Sequence, residues 1–146
     1  MKTKCLFLVT AGLVLCLVAC KKDLSSSNQT PLNSSSIAGK WNIVSDTTYA
    51  GVNTGANPVI YSGQPGDYFD FNTDGYVYIK EGAVLDTLSY KLISNNQISI
   101  SSFTLIPNSA FDTCHVTTLT THIATIASPL YASSGGPQQR KVGLMR

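Results

Sequence analysis

Two histidines, His115 and His122, flank a predicted turn, with Asp112 just upstream. Imidazole beside carboxylate is metal chemistry, but a zinc site takes about three or four protein ligands, and strand-end histidines that face solvent are the simpler expectation. Four acids, Asp67, Asp70, Asp74 and Glu81, crowd one stretch. A carboxylate pair there could divide into general acid and general base, yet their place around a turn suggests solvated turn acids. Cys114 lies in an alternating apolar run and reads as a small buried hydrophobe rather than a thiolate nucleophile. There is no Gly-x-Ser-x-Gly elbow, His-Glu-x-x-His helix, phosphate loop or dinucleotide fingerprint. The expectation is a non-enzyme with no metal and no cofactor.

The cysteine with chemistry to do is Cys20. Met1-Lys2-Thr3-Lys4 is a positive start, and Cys5 to Val18 is an apolar run broken by Thr10 and Gly12. That run is too short for a transmembrane helix, which needs roughly 20 apolar residues, but it suits a signal sequence. Its end, Leu17-Val18-Ala19-Cys20, resembles the lipobox of bacterial lipoproteins. Cys16 competes poorly because Leu15 before it is bulky. The resemblance implies a signal peptide at 1–19, lipidation at Cys20 with palmitate-type chains, and residence in the outer membrane as a lipid-anchored protein. Two or more acyl chains hold stably, at about 0.8 kcal/mol per buried CH₂.

Losing that leader removes Lys2 and Lys4 and no acid, which leaves eight basic residues against eight acidic ones. A neutral mature chain gives no reason to expect nucleic-acid binding. Cys5 and Cys16 leave as well, so Cys114 is the one remaining thiol and no internal disulfide forms. After Cys20, Lys21 and Lys22 favour anionic headgroups. Residues 20–36, rich in Ser and Asn, read as a flexible stalk. The 110 residues from Ile37 to Arg146 make one domain, large enough for a core without staples.

The elements that must position these residues are strands. No segment has a capped helical period, whereas β-branched and aromatic runs recur between Gly, Asn, Pro and Ser. Gly39 to Thr48 is the first strand, with Trp41, Ile43 and Ser45 on one face. Tyr49 to Gly66 reads as a long connection, a candidate lid. Asp67 to Glu81 reads as a hairpin: Phe69 and Phe71 alternate with polar neighbours, and Asn72-Thr73-Asp74-Gly75 turns the chain into Tyr76 to Ile79. Leu88, Tyr90 and Leu92 share a face, continued by Ile98 and Ile100 after a turn at 94–96. A parity change toward Phe103 and Leu105 requires a bulge or kink near Ser101-Ser102. Phe111 to Thr120 and Thr121 to Ser128 are two more strands, Pro129 to Gln138 a loop, and Gln139 to Arg146 the last strand. The fold class is all-β, an antiparallel meander of eight or nine strands, and pairing its first and last members into a barrel removes the sheet edges.

Gly39-Lys40-Trp41, Phe71-Asn72-Thr73-Asp74-Gly75 and Thr118-Leu119-Thr120 resemble the lipocalin-like domains of bacterial lipoproteins. The resemblance implies a lipocalin-like barrel over 37–146 that closes with Trp41 packed beneath Arg140 or Lys141. It implies a small hydrophobic or amphipathic ligand as partner, and the face pattern assigns Phe69, Phe71, Leu88, Tyr90, Leu92, Ile98 and Ile100 to its lining. A barrel of about eight strands is wide enough either to hold one small ligand or to be filled. A filled barrel would leave the 49–66 connection and the tyrosines, including Tyr61, Tyr68, Tyr76 and Tyr78, as a protein- or glycan-interaction surface. The chain is expected to act as a monomer.

Overall fold

The computed structural model describes residues 29–50, 58–94, 96–104 and 112–146. The leader, Cys20, most of the stalk, residues 51–57 of the candidate lid, Leu105 and Phe111 lie outside the described residues.

The described chain is one short helix, α1 (Ser34–Ile37), and ten strands: β1 (Gly39–Ala50), β2 (Val59–Ser62), β3 (Tyr68–Phe71), β4 (Tyr76–Glu81), β5 (Val84–Ser94), β6 (Gln97–Ile100), β7 (Thr113–Leu119), β8 (Ile123–Ala127), β9 (Tyr131–Ser133) and β10 (Gly136–Met145). All pairings are antiparallel, in the order β2-β1-β3-β4-β5-β6-β7-β8-β10-β9, and β1 also pairs with β10. The expected closure of the last strand on the first is therefore present. Asn42 opposes Met145 and Ala50 opposes Gln138. Eight strands close the barrel. The other two extend it, because β2 and β3 share successive halves of β1, and β9 and β8 share successive halves of β10.

Two boundaries differ from the sequence expectation. β2 lies inside the supposed 49–66 connection, and β9 inside the supposed 129–138 loop. Both strands are short and carry no clean alternation, so turn residues on either side outweigh them in a sequence window. Of the bulge or kink expected near Ser101-Ser102, the chain shows the kink: residues 101–104 form a turn, with Ser102 at φ 55°. The hairpin around Gly75 forms as expected. Gly75 has φ 87°, a left-handed conformation that a side chain with Cβ adopts at a cost.

One end of the barrel is closed. Trp41 is fully buried, in one core cluster with Phe71, Leu119, Ala124 and Leu144. Its indole N–H donates to the Ile37 carbonyl at 2.8 Å. Asn33 caps α1 by accepting from the Ser36 amide, and Leu32 packs on the core. Gln29 and Thr30 donate to the carbonyls of Thr117 and Leu119. The last part of the expected stalk is thus docked against the barrel; Leu32 supplies the apolar contact that its Ser-rich neighbours cannot.

The cation above Trp41 is Arg146, 4.0 Å from the ring, in place of the expected Arg140 or Lys141. Arg146 also donates to the carbonyls of Ser36, Ala38 and Thr121, tying α1 to the strand ends. Register decides this: Met145 faces Asn42, which brings residue 146 to the Trp41 end, while Arg140 sits opposite Thr48 near the other end.

Candidate functional site at the open end of the barrel

The seven expected lining residues divide into two groups. Phe69, Phe71, Ile98 and Ile100 are fully buried in one cluster with Trp41, Val77, Ile126, Val142 and Leu144. They pack in the barrel interior, each contributing about 1.5–3 kcal/mol by burial. Phe71 meets Tyr90 edge to face at 5.3 Å, and the Tyr90 hydroxyl donates to the Asn72 carbonyl. Tyr90 and Leu92 pack at the margin of this core. Of the seven, Leu88 reaches a cavity. The period-two pattern places a side chain on the inner face but not at a height along the barrel, so core and cavity positions look alike in sequence.

The cavity lies at the end opposite Trp41 and encloses about 310 Å³. Val59, Ile79, Val84, Leu88 and Tyr61 form its walls, and Asp46, Thr48, Glu81, Asp86 and Arg140 bring polar groups into it. Most of these polar residues were not expected at a site. In β1 the register with β10 shifts between Ile43 and Ser45, and this bulge turns Asp46 inward where strict alternation from Trp41 would have placed Ser45. In β10, Arg140, Val142 and Leu144 share the inward face. That period-two spacing was the available signal that Arg140 points in.

Arg140 and Asp46 are each 6 % exposed. The Arg140 Nε donates to both Asp46 carboxylate oxygens, at 3.1 and 2.8 Å, and Nη2 donates to Asp46 Oδ2. Nη1 donates to the Phe103 carbonyl at 2.8 Å, and the guanidinium lies 4.9 Å from the Phe103 ring. Nη2 also reaches Glu81 Oε2 at 3.4 Å. Burial is the largest single influence on Arg140 and would lower its pKa, but the bonds it donates to Asp46, together with the negative charges of Asp46 and Glu81, outweigh burial and hold the guanidinium above its ordinary value. Glu81 moves the other way for a different reason. Burial raises its carboxyl, the Asp46 charge adds to this, and Arg140 only partly offsets the two.

Asp67 was expected to be a solvated turn acid, but it is 1 % exposed. It accepts from the Tyr61 hydroxyl at 2.5 Å, the Gln64 amide at 2.8 Å and the Gly82 amide at 2.9 Å. One carboxylate thus ties β2, the 63–67 loop and the β4–β5 turn into the wall of the cavity. The Tyr61 bond, followed by the Gln64 amide, holds the Asp67 carboxyl below its ordinary value, and the same bond pushes the Tyr61 phenol up to about 12. Asp74 stays in its turn, accepting from the Tyr76 amide and the Tyr78 hydroxyl.

His115 is exposed on β7, and His122 contacts the Arg146 carbonyl through Nδ1 at 3.2 Å. Among the described residues no three His, Cys, Asp or Glu side chains gather as a metal site. Cys114 is fully buried, as its place in an apolar run suggested, and burial pushes its thiol up to about 12. Val59 and Val84 at the cavity, and their strand neighbours Ile60 and Leu85, are 58–72 % exposed. Comparison with protein-family models and with curated proteins finds no match to this chain.

Proposed function

We propose that this protein is a lipid-anchored envelope protein of the outer membrane whose lipocalin-like barrel takes one small amphipathic molecule into the cavity at its open end. The observation that carries this reading is the cavity itself: about 310 Å³ with apolar walls and a few convergent polar groups, the composition of small-molecule sites and at the lower end of their size. The anchor rests on the lipobox-like Leu17 to Cys20. The position of Gln29, against Thr117 at the closed end, supports it, since a tether leaving there does not obstruct the mouth. A second reading, docking of a protein or glycan, is favoured by the exposed apolar side chains of β2 and β5.

Titration with n-octanol, an uncharged eight-carbon probe, tests the first reading. Saturable amide shifts at Ile79, Val84 and Leu88 are expected, and Leu88→Trp, which places an indole in the cavity, should abolish them. Shifts that do not saturate, or that survive Leu88→Trp, would favour the surface reading. Replacing Cys20 by Ser should abolish labelling by a fatty-acid analogue; persistent labelling would refute the anchor.

A further inference from the structure

The cavity carries three acids, Asp46, Glu81 and Asp86, against the single cation Arg140. These groups are not equally available to a ligand. Arg140 is committed: Nε and Nη2 donate to Asp46 and Nη1 to the Phe103 carbonyl. Drawing it away would leave the buried Asp46 carboxylate uncompensated, a costly arrangement. Glu81 accepts, among the described residues, only the 3.4 Å contact from Arg140. Asp86 stands exposed on β5 at the cavity wall. The other charges nearby do not alter this balance. Asp67 behind Tyr61 has its oxygens taken by three donors, and Lys80 contacts the Gly66 carbonyl, on the opposite face of β4 from Ile79 and Glu81. Apart from the Thr48 hydroxyl, which can donate or accept, the spare hydrogen-bonding capacity of the cavity is therefore acceptor capacity, and its uncompensated charge is negative.

We propose that the ligand is an amphipathic cation, with an ammonium-type head donating to Glu81 and Asp86 and an apolar body lying against Val59, Ile79, Val84 and Leu88. This rests on the cavity being a binding site and specifies what it selects. An anion of the same shape would meet like charges, with the one guanidinium already occupied. A cation finds acceptors in a partly dry site, where charge interactions are stronger than in water, and the Tyr61 ring offers a further apolar face suited to a cation.

The test compares three probes with one tail: octylammonium, n-octanol and octanoate, titrated by calorimetry at about pH 7.5 into the chain from Lys21 to Arg146, whose barrel closes on itself within residues 29–146. Octylammonium should bind about tenfold more tightly than octanol, and octanoate more weakly than octanol. The readout in variants is the ratio of octylammonium to octanol affinity, which should collapse toward one in Glu81→Gln and fall part-way in Asp86→Asn. The exposed Asp86 position supplies a usable variant should the Glu81 one fail to fold. The preference should also shrink as pH falls through the carboxylate range, because protonating Glu81 removes the charge. If octanol binds and octylammonium binds no better, the charge inference is overturned and the cavity reading stands. If none of the three binds, both are overturned.

Discussion

Replacing Asp46 by Leu isolates the most heavily desolvated charge in the barrel. Arg140 would keep the Phe103 carbonyl and the 3.4 Å contact to Glu81, but would lose its bonds from Nε and Nη2 to Asp46 at a site where both partners are 6 % exposed. Breaking a buried pair by removing one partner costs about 3–5 kcal/mol, and the surviving Glu81 contact places the expected cost near the lower end, about 3 kcal/mol. For a domain of this size about 1 kcal/mol corresponds to about 4 °C, so the melting temperature should fall by about 12 °C. Arg140→Met should cost at least as much, since it leaves Asp46 and Glu81 facing each other without a cation. The double variant, Asp46→Leu with Arg140→Met, should be more stable than either single one, because it removes both buried charges together. Urea midpoints at constant m-value measure all three. A loss below about 1 kcal/mol for Asp46→Leu would place the pair among ordinary surface salt bridges and refute the reasoning.

Further outcomes follow from other parts of the barrel. Gly63→Ala would set a Cβ 1.9 Å from the Ile43 carbonyl oxygen, so β2 must detach from β1 and the octanol site should weaken along with stability; an unchanged protein would mean that β2 does not pack as described. Arg146→Ala removes the cation over Trp41 and the bonds to Ser36 and Ala38, and should speed hydrogen exchange in α1 while leaving the open end unchanged. Cys114 should resist a thiol reagent in the native state and react fully in denaturant, since burial pushes its thiol up to about 12; rapid native labelling would contradict its burial. The Asp67 carboxyl is held below its ordinary value of 3.8, so the folded state binds fewer protons than the unfolded chain there. The resulting stability is present above the ordinary carboxylate range and is lost as pH falls through the folded value. Tyr61→Phe removes the largest cause of that shift and should flatten the acid loss of stability. Glu81, shifted upward, contributes the opposite slope between its unfolded and folded values, where stability rises as pH falls.

The sequence makes the strands legible wherever one face is apolar and the other wet. The β3–β4 hairpin, the inward pair Val142 and Leu144 and the burial of Trp41 all follow from alternation together with one glycine at a turn. Closure follows from the physics of unpaired edges. What alternation does not show is height along the barrel and local shifts of register. Phe71 and Leu88 both point inward, but one is core and the other cavity wall. The bulge after Ile43 reverses the faces of β1, so Asp46 enters the barrel against its apparent parity. Asp67 looks like a turn acid because the donors that bury it, Tyr61, Gln64 and Gly82, come from three separate stretches. The cation on Trp41 is hidden for the same reason: the resemblance points to Arg140 or Lys141, and only the β1–β10 register selects Arg146.

Native mass spectrometry of the protein purified from its own host tests the central claim, that the open-end cavity holds a small molecule. The wild-type chain should carry an added mass of one small molecule that dissociates on activation, and the folded Leu88→Trp variant prepared in the same way should carry none. A bare chain in both preparations, or the same added mass on both, would contradict the claim that the cavity is the site.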